Sequence, residues 1–66
     1  MRNNLKAFRL KLGLSQEEIG AMFNLNRQQW CNIELAKRKG SGEFWLNLQK
    51  KFSLSNEETL KLMEVS

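Results

Sequence analysis

The sequence has no histidine, no aspartate and no proline, and it has one cysteine, Cys31. A lone cysteine excludes an intramolecular disulfide, and without histidine beside it no Cys/His metal cage can be assembled. General acid–base chemistry would fall to the glutamates, which are scattered along the chain with no apolar pocket to perturb them. The reading is therefore of a non-enzyme with no catalytic residues, no metal and no cofactor. Long apolar runs are missing too. Nothing approaches the ~20 residues of a membrane span, and the start Met1-Arg2-Asn3-Asn4-Leu5-Lys6 lacks the apolar core of a signal peptide. No membrane contact is expected, and a bacterial or phage cytoplasm fits. With no proline and no strand-length alternation of apolar and polar residues, helices are expected throughout.

What is present suits a small globular protein. The 66 residues predict one domain over 1–66, which at this size hides only about 60% of its unfolded surface and has no room for a buried cleft. The formal charge of +4 suggests a polyanionic partner, although many basic domains bind no nucleic acid.

Helix punctuation divides the chain into five helices with short turns and no internal repeat. Leu5, Phe8 and Leu12 share one face of helix 1, and Gly13 ends it in the left-handed region. Ser15 followed by Glu18 is a capping box opening helix 2, about Gln16 to Phe23, with Ile19, Met22 and Phe23 inward. Gly20 leaves room for another helix backbone, and Asn24 tolerates the left-handed exit. Asn26 caps helix 3, which reaches about Leu35. Trp30 and Ile33 point one way; Gln28, Cys31, Asn32 and Leu35 point the other. The run Lys37-Arg38-Lys39-Gly40-Ser41-Gly42 is the one loop of any length. Ser41 caps helix 4, with Phe44, Trp45, Leu48 and Phe52 as an apolar stripe. Ser55 and Glu58 repeat the capping box before a short helix 5 that carries Leu60, Leu62, Met63 and Val65.

Two short helices joined by a tight turn, the second polar on its outer face, are what a reader of the DNA major groove requires. The residues Leu5-Lys6-Ala7-Phe8-Arg9, Leu14-Ser15-Gln16-Glu17-Glu18-Ile19-Gly20 and Asn26-Arg27-Gln28-Gln29-Trp30-Cys31-Asn32-Ile33-Glu34 resemble the phage repressor and Cro type of helix-turn-helix domain, also called the XRE type. The resemblance runs from Leu5 to about Ser55. It implies an all-α, five-helix lambda-repressor-like fold with the helix-turn-helix at about 16–35. Five positions depart from that pattern: Asn24 stands for the usual glycine, Gly20 for alanine, Trp30 for an aliphatic, and Leu35 and Ala36 for a polar residue and glycine. The exit of helix 3 is therefore expected to differ.

The resemblance assigns base reading to Arg27, Gln28 and Asn32. Their chemistry suits it, since arginine pairs bidentately with guanine and the amides with adenine. Gln16, at the positive end of helix 2, would meet a phosphate. Asn26 and Gln29 flank the set and would touch DNA backbone rather than bases. Lys37, Arg38 and Lys39 form a charge run of the kind that is ordinarily a solvated loop, but their place after helix 3 puts them beside the duplex backbone. Arg9 and Glu34 would form an ion pair that orients rather than reads. Cys31 would face the groove as a small filler or a contact to a thymine methyl, rather than as a redox switch.

Leu46, Leu62 and Val65 exceed what one core can hide, so they are assigned to a dimer interface through helices 4 and 5. A twofold dimer would set two recognition helices about 34 Å apart. The whole reads as a sequence-specific duplex DNA-binding regulator, a repressor acting as a homodimer on an inverted repeat. An antitoxin that binds a toxin and regulates its own operon is the rival. A protein-interaction module of the same fold is another, and in either rival the partner would be a small protein such as a toxin or antirepressor.

Overall fold

In the computed structural model, which describes Met1–Ser66, the chain forms α1 (Asn3–Lys11), α2 (Gln16–Ala21), α3 (Arg27–Glu34), α4 (Gly42–Lys51) and α5 (Asn56–Met63), with no strand. No helix is long and apolar enough to cross a membrane. The all-helical expectation is borne out.

The helices start and stop where local chemistry dictates. Ser15 Oγ accepts from the Glu18 amide at 3.0 Å while Glu18 Oε1 accepts from the Ser15 amide at 2.8 Å. Ser55 and Glu58 reproduce this reciprocal pair ahead of α5. Asn26 and Gln29 do so ahead of α3, both bonds at 2.8 Å. Each box satisfies amides that the first turn of a helix leaves without partners.

Four helices end on one device. Gly13, Asn24, Ala36 and Ser53 take positive φ of 73°, 58°, 63° and 53°. In each case the next amide bonds back to a carbonyl five residues earlier: Leu14 to Arg9, Leu25 to Gly20, Lys37 to Asn32, Leu54 to Gln49. Such closures satisfy the last carbonyls of a helix, and an apolar residue just beyond the left-handed one packs back on the body. Leu14, Leu25 and Leu54 pack against the core in that way.

Ends and starts combine into one junction written three times. Gly13-Leu14-Ser15-Gln16-Glu17-Glu18, Asn24-Leu25-Asn26-Arg27-Gln28-Gln29 and Ser53-Leu54-Ser55-Asn56-Glu57-Glu58 each run left-handed residue, buried-side leucine, N-cap, and capping-box partner. The expectation of no internal repeat is corrected at this scale. The junction at Ala36 is the exception, because Lys37 stands where the leucine would and the chain continues as the basic loop.

The core is Leu5, Ile19, Trp30, Ile33, Phe44, Trp45, Leu48 and Leu62, with Phe8, Phe23 and Phe52 packed around it. Aromatic edges tie the helices together: Phe44 meets Trp30 at 5.8 Å, Phe23 at 5.5 Å and Trp45 at 4.9 Å between ring centroids. Phe8 of α1 meets Phe52 just beyond α4 at 5.2 Å. Gly20 is buried, and a Cβ there would sit 3.0 Å from the Leu25 carbonyl and 3.5 Å from Trp30 Cβ, so the missing side chain is what lets α2 approach α3.

Two inward assignments fail. Leu12 is 43% exposed because it caps α1, and the reversal at Gly13 carries Leu14 to the core in its place. Met22 is 38% exposed because α2 closes at Ala21, two residues short of the expected Phe23, and the turn sends Phe23 and Leu25 inward while Met22 faces out.

Two substitutions test these constraints by urea denaturation. Ala36→Gly relieves a left-handed Cβ and should raise stability by about 0.5–1 kcal/mol after the added freedom of the unfolded chain is subtracted. Gly20→Val should lower it by about 1–3 kcal/mol through overpacking against a backbone carbonyl; an unchanged midpoint would argue against the close approach of α2 and α3.

Candidate nucleic-acid interface

The outward side of α3 is built by the burial of its other side. Trp30 and Ile33 are buried and fix the helix rotation, which leaves Arg27 and Gln28 exposed and Cys31 and Asn32 half-buried at the edge. Gln28 and Asn32 lie one turn apart, and the Gln28 Nε2 donates to Asn32 Oδ1 at 3.0 Å. That bond orients both amides. Gln28 keeps its carbonyl oxygen and a second N–H for an outside partner, the acceptor and donor pair that suits adenine. Gln28 and Asn32 are thus brought together, Arg27 is exposed at the start of the same helix, and Lys37, Arg38 and Lys39 are all exposed in the loop that follows.

The segment that carries α3 and the loop is rich in cations. From Arg27 to Gly42 the only carboxylate is Glu34, and it is buried. Four exposed cations, Arg27, Lys37, Arg38 and Lys39, therefore meet no acid in their own segment.

Glu34 is the internal anchor of the site. One oxygen accepts from Arg9 Nε at 2.6 Å and from the Trp30 indole N–H, the other from Gln16 Nε2 at 3.2 Å and Arg9 Nη2 at 3.4 Å. Arg9 also donates to the Leu14 carbonyl at 2.9 Å. Burial works against the charge of Glu34, but the hydrogen bonds from Arg9, Trp30 and Gln16, with the positive charge of Arg9, outweigh it and hold the carboxyl below the ordinary glutamate range. Three helices are thereby locked: α1 through Arg9, α2 through Gln16, α3 through Trp30 and Glu34 itself.

Three flanking residues have internal partners, of which only the cap made by Asn26 was expected from the sequence. Gln16 is half-buried and spends one amide hydrogen on Glu34. Asn26 and Gln29 spend their side-chain oxygens on the α3 capping box. All three keep amide N–H donors, the groups a phosphate needs, and their orientation is fixed by these bonds. Arg2 was missed altogether: it is 6% exposed and donates to carbonyls of Ile33, Arg38, Lys39 and Met63. In sequence it looks like one more surface cation near the start of the chain.

The interface assigned to Leu46, Leu62 and Val65 needs correction at one residue. Leu62 is 7% exposed and belongs to the core, because α5 turns that side towards α1. The outward apolar residues of this end are Leu46, Leu60, Met63 and Val65, and Leu46, Leu60 and Met63 line a shallow groove between α4 and α5 with Trp45 at its floor.

Comparison of the chain with protein-family models, with curated proteins and with solved structures finds no match in any of the three.

The carboxylate anchor gives a pH prediction. Because the folded-state pKa of Glu34 is depressed, its contribution is present above the unfolded value of about 4.3 and is lost as pH falls through the folded one. Acidification from neutral pH to about 3 should therefore cost the wild type more stability than Glu34→Gln, measured by denaturant midpoints across that range. At neutral pH the variant should be less stable by about 3–5 kcal/mol, since it leaves the Arg9 guanidinium buried without its counter-charge.

Proposed function

We propose that this chain is a sequence-specific duplex DNA-binding regulator of lambda-repressor-like, XRE-type architecture, acting in the cytoplasm as a repressor. In this reading α2, the Asn24 turn and α3 are the helix-turn-helix. The observation that carries it is the outward surface of α3: an arginine and two mutually bonded amides, no accessible carboxylate, and three exposed cations immediately beyond. α3 lies in the major groove. Arg27, Gln28 and Asn32 read base edges, and Gln16, Asn26, Gln29, Lys37, Arg38 and Lys39 hold phosphates.

A homodimer across the α4–α5 end places two copies of α3 on successive turns of the same side of the duplex. Leu46, Leu60, Met63 and Val65 supply its apolar contact, since their exposure leaves a patch that a monomer has no use for. The same groove favours one alternative, an antitoxin that covers it with a toxin and represses its own operon; co-purification of a small protein from the native host would mark that reading.

Selection from a random duplex pool tests the proposal. An inverted repeat with half-sites about 10 bp apart is expected, with affinity falling as salt rises by a slope near −0.9 per phosphate contact. Gln28→Ala should cost about 1–3 kcal/mol at particular base pairs and leave the salt slope unchanged. Binding without sequence enrichment would sink specific recognition and leave a protein-interaction module of this fold.

A further inference from the structure

Arg2 makes an unusual set of contacts for a buried cation. Its Nη1 donates to the Ile33 carbonyl at 2.6 Å and the Arg38 carbonyl at 2.8 Å, its Nη2 to the Lys39 carbonyl at 3.4 Å, and its Nε to the Met63 carbonyl at 3.1 Å. The guanidinium also lies 5.6 Å from the centre of the Trp45 ring. No carboxylate pairs with it; the one ion pair of the molecule joins Arg9 to Glu34. Its charge is met by backbone dipoles instead, and two of the carbonyls close the C-terminal turns of α3 and α5, the negative ends of those helices.

Two of these carbonyls belong to the basic loop, and other contacts hold the same stretch. Trp45 Nε1 donates to the Lys39 carbonyl at 3.0 Å. Gly40 has φ of 75°, and a Cβ there would lie 2.9 Å from Trp45 Nε1, so the loop backbone runs flush against α4. The Lys37 and Arg38 amides both bond to the Asn32 carbonyl, at 2.9 and 3.2 Å. With its carbonyls drawn inward, the loop leaves Lys37, Arg38 and Lys39 exposed on the outside.

We infer that Arg2 is the positioning residue of this loop: a buried guanidinium gathers the ends of α3 and α5 and the backbone of residues 38 and 39, and so fixes three cations in a row beside α3. The role rests on the DNA-binding reading for its purpose and on geometry alone for its mechanism. Arginine is required because its planar fork offers five donors over a span that reaches several carbonyls, whereas lysine has three donors on one atom.

Arg2→Lys keeps the net charge and most of the stem, and two measurements on it are decisive. Amide hydrogen exchange at Lys37 and Arg38 should quicken at least about tenfold more than at Leu25, whose amide bonds within the core-side turn and tracks global opening. Binding to a 20-bp random-sequence duplex should lose about 1.8 in the salt slope, the share of two phosphate contacts. Equal acceleration at all three amides, or an unchanged slope, would overturn the inference and make Arg2 a general stabiliser. If the wild type binds no duplex, the DNA reading fails while the exchange comparison still decides the role of Arg2. A readout that needs no variant is side-chain NMR of the wild type. The Arg2 guanidinium N–H signals should be resolved and protected from exchange; one averaged, fast-exchanging signal like that of an exposed arginine would overturn the clamp.

Discussion

The carboxylate of Glu34 is the constraint on which the rest of this structure depends. A buried charge in so small a core is tolerable only if every lone pair is answered, and here four donor contacts from Arg9, Gln16 and Trp30 answer them. Those donors lie on α1, α2 and α3, so satisfying one side chain sets the mutual placement of three helices. The consequence reaches the surface, because the rotation of α3 that brings Glu34, Trp30 and Ile33 inward is the rotation that turns Arg27, Gln28 and Asn32 out.

A second constraint acts along the chain. Helices of six to ten residues are too short to be stable on their own and need defined ends. The thrice-used junction meets that need with one device, a left-handed residue that stops a helix, a leucine that packs on the body, and a capping box that starts the next. Where Lys37 takes the place of leucine the chain is not drawn into the core after α3, and the basic loop leaves along the surface with Arg2 and Trp45 holding its backbone.

Much of this was legible beforehand because caps and left-handed exits are local. Ser15 with Glu18, Ser55 with Glu58, Asn26 and Ser41 each announce a helix by their own hydrogen-bonding capacity, and Gly13 and Asn24 announce an end. Ala36 and Ser53 were not read as left-handed, since neither residue type prefers that conformation and only the packing on both sides imposes it. Spacing places Leu12 and Met22 inside because it carries each helix one or two residues past its end; spacing gives a face, but it does not say at which residue the backbone leaves the helix. On the candidate interface, the polar composition of α3, the cap at Asn26 and the run Lys37–Lys39 were visible, whereas the Gln28–Asn32 bond and the internal duties of Gln16 and Gln29 depend on side-chain positions.

By itself the sequence determined that the chain is helical, roughly where each helix starts, and that one segment carries cations and amides with a single acid, Glu34, because these follow from contacts within a few residues or from composition. Only the tertiary structure decided that Leu62 is core while Leu60 is surface, and that Arg2 is a buried clamp rather than a solvated cation. Burial of such residues is set by what the far end of the chain brings to them: Arg2 meets carbonyls thirty-one to sixty-one positions away, and no local pattern records a partner at that distance.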